Sequence, residues 1–116
     1  MLIKICGINH EDTLLCCEEN NVDFFGMIFY PKSPRNISIE NASVLQNISE
    51  NLNINGVGVF VNHNINELEK IIKNLKLRFV QLHGVEDEMY VKTLKKIGVK
   101  IKKTISINNT NDLKKI

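Results

Sequence analysis

The sequence predicts an α/β protein built on a parallel sheet, and three observations support that class. Short apolar runs of strand length alternate with stretches in which apolar residues recur every three or four positions, as on one face of a helix. The alternation starts with a strand and is kept throughout, which favours right-handed crossovers between parallel strands. The segment FFGMIF at 24–29 is apolar on both faces, as in strands that helices cover on both sides.

Five apolar runs are the predicted strands, at residues 2–6, 22–30, 55–61, 78–82 and 99–107. Gly56 and Gly58 lie within the third run, where we expect them to allow close packing or a bend. Neither GxGxxG nor GxxxxGK followed by Ser or Thr occurs in the chain. The sequence therefore predicts no glycine-rich phosphate-binding loop.

The first two predicted helices are marked by capping residues. Asn9 is the expected N-cap of a helix over about residues 10–20. Ser38 is the expected N-cap of a second helix that ends near residue 51, and Glu40 places a negative charge in its first turn. Acidic side chains are favoured at that end because the helix dipole is positive there.

The third and fourth predicted helices carry apolar stripes. The third follows Asn64, and its apolar residues are spaced by three or four: Ile65, Leu68, Ile71, Ile72 and Leu75. The fourth covers about residues 86–97, and four of its side chains are expected to face inward: Met89, Tyr90, Leu94 and Ile97. A fifth helix is expected to begin near Thr110.

Two architectures fit this alternation within a single domain over residues 1–116. A flavodoxin-like doubly wound sheet of five strands suits a chain of 116 residues, and length alone favours it. A TIM-type (β/α)₈ barrel typically needs about 250 residues, so the chain would supply a barrel truncated to about five strands and four to five helices.

Composition excludes several classes of function. The chain is 43% hydrophobic and 24% charged with a net charge of +2, and its basic residues are scattered among acidic ones, so no nucleic-acid partner is predicted. No apolar stretch approaches the roughly 20 residues of a membrane span. The three cysteines have no CxxC or metal-ligand spacing, which indicates a reducing, cytoplasmic location and no metal site.

Candidate functional residues stand where the predicted strands end, because ligands bind at the carboxyl ends of parallel strands. Cys6 ends the first strand, just before the amino terminus of a helix, and Arg35 follows the second strand in a loop with two prolines. Asn62 follows the third strand, and Gln81, His83 and Gly84 stand at the end of the fourth. A thiol, a guanidinium, an amide and an imidazole are thus expected to converge on one rim.

Each of these side chains also has a structural alternative. Cys6 fits a thiolate that acts as base or nucleophile near a helix amino terminus, but also the commoner role of a free cysteine as a small buried filler. Arg35 could bind a carboxylate or phosphate group, or be an ordinary surface arginine. His83 fits proton transfer or a hydrogen-bonded structural role. These residues alone leave the choice open.

Four motifs, taken in order, add a resemblance. They are KICGI at 4–8, GMIFYPKSPRNIS at 26–38, GVGVFVN at 56–62 and VQLHG at 80–84. Together they resemble phosphoribosylanthranilate isomerase, the (β/α)₈-barrel enzyme of tryptophan biosynthesis. The resemblance extends over essentially the whole chain, since KIKKTISI at 100–107 is similar to the family's fifth strand.

The resemblance implies an aldose–ketose isomerase that works without cofactor or metal. Its substrate would be a small phosphorylated sugar, N-(5-phosphoribosyl)anthranilate, which an Amadori rearrangement converts from an aminoaldose to an aminoketose. By position Cys6 would be the general base, Arg35 would hold the anthranilate carboxylate, and His83 would lie at the substrate-facing rim.

The resemblance also implies that part of the family's machinery lies beyond Ile116. The family's general acid is an aspartate at the end of the sixth strand, and Asp112 is not expected to replace it. We therefore expect an isomerase by descent that is incomplete as given. The alternatives are a non-catalytic fragment and a flavodoxin-like binding module. Open edges at the first and fifth strands would favour self-association or a complementing chain.

Overall fold

The computed structural model describes residues 2–103, and strands and helices alternate strictly within them. In chain order the elements are β1 (Lys4–Cys6), α1 (Glu11–Glu19), β2 (Phe24–Ile28), α2 (Ile39–Ser49), β3 (Asn55–Phe60), α3 (Ile65–Leu75), β4 (Phe79–Leu82), α4 (Glu88–Ile97) and β5 (Lys100–Lys103). The predicted α/β class is confirmed. The end of the fifth predicted strand, the helix expected near Thr110 and Asp112 lie outside the described residues.

The strands form one parallel sheet in the order β1-β2-β3-β4-β5. Each helix therefore leads to the strand that lies next in the sheet, and every new strand is added on the same side of the one before it. A flavodoxin-like sheet would have the order 2-1-3-4-5, with a reversal near the first strand. The doubly wound alternative is wrong, and the progression is that of a (β/α)₈ barrel.

The sheet is strongly curved. Lys4 on β1 donates a hydrogen bond to the side-chain oxygen of Gln81 on β4, although β2 and β3 lie between these strands. In a flat sheet three strand spacings would separate the two backbones by roughly 14 Å and their side chains would project in parallel. The contact therefore places both side chains on the concave face of a curled sheet.

Helix starts follow local hydrogen bonding. Ser38 caps α2 as predicted, since its hydroxyl oxygen accepts from the amide of Asn41 at 3.1 Å. At α1 the cap is His10 and not Asn9, because His10 has the extended backbone of an N-cap and its Nδ1 accepts from the amide of Asp12 at 3.2 Å. The prediction for α1 was thus wrong by one residue.

The core lies between the sheet and its helices. The apolar stripe of α3 is buried at the predicted positions: Leu68, Ile71, Ile72 and Leu75. In α4 the inward stripe runs through Tyr90, Leu94 and Ile97, whereas Met89 is 70% exposed and was wrongly predicted to face inward. Met89 lies about 100° around the helix from Tyr90, away from that stripe.

No helix within residues 2–103 is long and apolar enough to cross a membrane.

Candidate active site

A cleft of about 350 Å³ opens at the carboxyl ends of the first four strands. The three residues predicted for the site, Cys6, Arg35 and His83, all line it. Seven further residues complete the lining: Lys4, Ile28, Tyr30, Ser33, Val59, Val61 and Gln81. The fold thus brings together side chains that are distant in sequence, such as Lys4 and Gln81, which are 77 residues apart.

The thiol of Cys6 belongs to the cleft and not to the hydrophobic core. Cys6 is half-buried at the end of β1, and Gly26 on β2 leaves room for it, since a Cβ at Gly26 would lie 3.0 Å from the Cys6 Sγ. The buried filler among the cysteines is Cys17, which is 8% exposed within the core. Burial raises the pKa of the Cys17 thiol, and the neighbouring Cys16 adds to the effect.

Gly7 allows Arg35 to lie against the chain directly after the thiol. Gly7 has φ +81°, and a Cβ there would come within 2.7 to 2.8 Å of three side-chain atoms of Arg35. The Arg35 Nη1 donates to the carbonyl oxygen of Cys6 at 3.4 Å. Arg35 is therefore bonded to the backbone of Cys6. A glycine follows the cysteine because the chain there has a positive φ and because a Cβ would collide with Arg35.

The loop that carries Arg35 is held to the end of β2. The amide of Arg35 donates to the hydroxyl oxygen of Ser33 at 3.2 Å, and the amide of Ser33 donates to the carbonyl of Tyr30 at 3.0 Å. At the far side of the loop, the amide of Ile37 donates to the carbonyl of Ile28 at 2.9 Å. These bonds return the loop to the strand it left and keep Arg35 over the cleft.

Of His83 and Asn62, which were both expected at the rim, His83 lines the cleft and Asn62 does not. His83 is exposed on the cleft wall, and its backbone amide donates to the carbonyl of Phe60 at 2.9 Å. Asn62 does not line this cleft, because its side-chain oxygen accepts instead from the amide of Val85 at 2.9 Å. The expected convergence of four groups is wrong for Asn62, which joins two loops.

Lys4 is the functional candidate that sequence reasoning missed. It lies two residues before Cys6 on the same strand, and side chains two apart point to the same face. That alternation was the available signal. With Lys4 and Arg35, the lining has two cations and neither Asp nor Glu among the residues that the structure describes there. Such a lining suits an anionic ligand.

Within residues 2–103, no group of three or more His, Cys, Asp or Glu side chains is placed to hold a metal ion.

A parallel sheet that advances strand by strand and curls around a cleft at its carboxyl edge places the chain among proteins of the (β/α)₈-barrel type. The model of the family described as N-(5'phosphoribosyl)anthranilate (PRA) isomerase matches residues 3–116. The chain belongs to this isomerase family, and the resemblance inferred from the four motifs is confirmed.

Individual relatives agree with the family match. The chain is 40% identical over 120 residues to an N-(5'-phosphoribosyl)anthranilate isomerase of Trichodesmium erythraeum, covering 99% of this chain and 51% of the relative. The solved isomerase of Thermotoga maritima superposes with a TM-score of 0.88 at 31% identity, covering 99% of this chain and 56% of that one.

A further solved isomerase holds reduced 1-(o-carboxyphenylamino)-1-deoxyribulose 5-phosphate; it has a TM-score of 0.87 and 31% identity, covering 99% of this chain and 59% of that one. The chain thus spans about half the length of the curated relative and somewhat more than half of the two solved chains.

Proposed function

We propose that this chain takes part in the isomerisation of N-(5-phosphoribosyl)anthranilate, the Amadori rearrangement of an aminoaldose to an aminoketose in tryptophan biosynthesis. The observation that carries the proposal is the meeting of Cys6, Arg35 and His83 around one cleft in a member of the isomerase family. A general acid opens the ribose ring to a Schiff base, and a general base removes the proton from C2 to give the enolamine. The reaction is that of an aldose–ketose isomerase and needs no cofactor.

Cys6 is the proposed general base. As a thiolate it accepts the C2 proton, and its place on the cleft wall at the end of β1 leaves the sulfur accessible to a ligand. The family resemblance assigns the acid to an aspartate at the end of a sixth strand. This chain therefore carries the base of the pair, and a positioned proton donor contributes a further factor of about 10² to 10⁴.

Arg35 is the proposed ligand of the anthranilate carboxylate, and His83 faces the substrate within the same cleft. The cationic lining supports this, because Lys4 adds a second positive charge to a cleft whose described residues include no acid. The molecule bound to the solved relative has by its name both a carboxyphenyl group and a phosphate. An anion of this class is the proposed substrate.

The proposed setting is a cytoplasmic one with a protein partner. Residues 1–116 would act as one domain, and the edge at β1 would pair with a second copy or a complementing chain. Exposed apolar side chains beside that edge support the pairing, with Leu2 71% and Ile5 42% exposed. The isomerase of Thermotoga maritima is itself described as dimeric.

Three free cysteines suit a reducing compartment.

The test is an isomerase assay that follows the loss of anthranilate fluorescence. We expect no turnover from the chain alone, and turnover when it is mixed with a separate chain containing the later strands of the Trichodesmium erythraeum relative. Cys6→Ala should abolish that turnover, whereas Cys16→Ala, at an exposed cysteine on α1, should not. Turnover that survives Cys6→Ala would refute the assigned base, and no turnover in any mixture would favour a non-catalytic fragment.

A further inference from the structure

A buried carboxylate joins two of the loops at the rim of the sheet. Glu86 is 7% exposed and lies in the loop between β4 and α4. Its Oε2 accepts from the backbone amide of Asn62 at 2.9 Å, and its Oε1 accepts from the backbone amide of Gly84 at 3.0 Å. One side chain thus holds the residues that follow β3 and those that follow β4.

The same two loops interlock through Asn62. Its backbone has φ +48°, and its side-chain oxygen accepts from the amide of Val85 at 2.9 Å. Gly84 leaves the space that this arrangement needs, because a Cβ at Gly84 would collide with the Asn62 Oδ1. Each loop therefore donates a backbone amide to a side-chain oxygen of the other.

A tyrosine on α4 holds the loop that follows β3. The hydroxyl of Tyr90 donates to the carbonyl oxygen of His63 at 2.8 Å. Burial raises the pKa of Tyr90 to about 12, and the nearby charge of Glu86 adds to the effect, so this hydroxyl keeps its proton at neutral pH. Asn62 and His63 are thus tied to the β4–α4 segment by three side chains.

We propose that Glu86 is a positioning residue for His83. The backbone is held on both sides of His83, because the His83 amide donates to the carbonyl of Phe60 and the Gly84 amide donates to Glu86. A carboxylate is a strong acceptor for a backbone amide, and a buried amide that loses its acceptor is costly. Glu86 therefore fixes the backbone from which the imidazole enters the cleft. The consequence for catalysis rests on the proposed function, in which His83 faces the substrate.

The test uses nuclear magnetic resonance on the full 116-residue chain and its Glu86→Gln variant. We expect the amide protons of Asn62 and Gly84 to exchange about tenfold faster, as follows from the loss of roughly one charge-assisted hydrogen bond. We also expect the ring resonances of His83 to shift while those of His10, in another part of the fold, stay in place. The matched control is Glu88→Gln, an exposed acid in the first turn of α4, which should change neither.

A purely structural role for Glu86 predicts a different pattern. Exchange would then accelerate uniformly, including at Phe25 in the middle of β2, and the His83 ring would not respond selectively; either result overturns the proposal. Glu86→Asp keeps the charge but shortens the reach, so it should give the same local pattern in a milder form if Glu86→Gln does not fold. Because no turnover is measured, the outcome is separate from that of the isomerase assay.

Discussion

The ammonium of Lys4 on β1 and the side-chain oxygen of Gln81 on β4 form a hydrogen bond in the wall of the cleft. Two strands separate them in the sheet, so the bond spans the concave face between two residues that line the cleft. A single lysine thus contributes both to the curvature of the sheet and to the positive charge of its cleft.

Lys4→Met should lower the free energy of unfolding by about 1.5 to 3 kcal/mol, because it removes a partly buried hydrogen bond from a charged ammonium to an amide oxygen. Urea denaturation of the two proteins measures the difference. Lys92→Met, at an exposed position of α4, is the matched control and should change stability by less than about half that amount. Equal effects of the two variants would contradict a role for the Lys4–Gln81 bond.

Gly7→Ala should be more destabilising than Gly98→Ala. Both glycines have positive φ, at +81° and +98°, so both variants incur the backbone strain of about 1 kcal/mol or more. At Gly98 no atom lies within 4 Å of the added Cβ, whereas at Gly7 the Cβ collides with Arg35. Chemical denaturation should therefore show an additional loss in Gly7→Ala, and equal losses would mean that Arg35 moves aside at no cost.

Arg35→Gln should weaken binding of anthranilate by about tenfold or more, since a hydrogen-bonded charge pair with the carboxylate contributes on the order of 1.5 to 3 kcal/mol. Titration of the ligand's own fluorescence measures the affinity. Arg78→Gln provides the control, because Arg78 is exposed just before β4, at the opposite edge of the sheet from Arg35. A similar loss in both variants would indicate a general charge effect and not a site.

The three thiols should react at different rates with iodoacetamide at pH 8. A raised pKa leaves less thiolate at a given pH, so Cys17, which is also buried, should react at least about tenfold more slowly than the exposed Cys16. Cys6 should be modified in the folded protein because it lines the cleft. Mass spectrometry of the peptides gives each rate, and modification of Cys17 before Cys6 would contradict the placement of the two thiols.

Stability should fall as pH rises from about 10 to 12, in part through Tyr90. The unfolded tyrosine releases its proton near pH 10, while the folded one keeps it to about 12, so the unfolded state binds fewer protons in this window. Tyr90→Phe should be less stable at pH 8, where the bond to His63 is lost, yet show a shallower decline above pH 10. Parallel slopes for the two proteins in urea denaturation would rule out this contribution.

Much of the fold and the position of three site residues could be predicted from local patterns. The apolar spacing of α3 defined its buried face, and the carboxyl ends of parallel strands necessarily share an edge, so Cys6, Arg35 and His83 could be expected near one another. The choice between two α/β architectures needed more, because strand order depends on which crossovers the whole chain makes.

The remaining features depend on tertiary geometry. The Lys4–Gln81 bond exists only because the sheet curls, and no local pattern specifies that curvature. Glu86 was expected at the start of a helix, where an acid is usually solvated, yet the loops around it bury its carboxylate. The exposure of Met89 likewise depends on which side of α4 meets the sheet.

The close approach of Arg35 to Gly7 has a consequence for how the site can evolve. The loop at residues 30–37 is tied to its own strand, so substitutions within it can change which anion is preferred without displacing the thiol at the end of β1. Gly7 has no such freedom, because its φ of +81° is a conformation that other residues rarely adopt, and a Cβ there would also displace Arg35. Ligand preference can therefore drift in one segment, while the peptide after the thiol is constrained to a single amino acid.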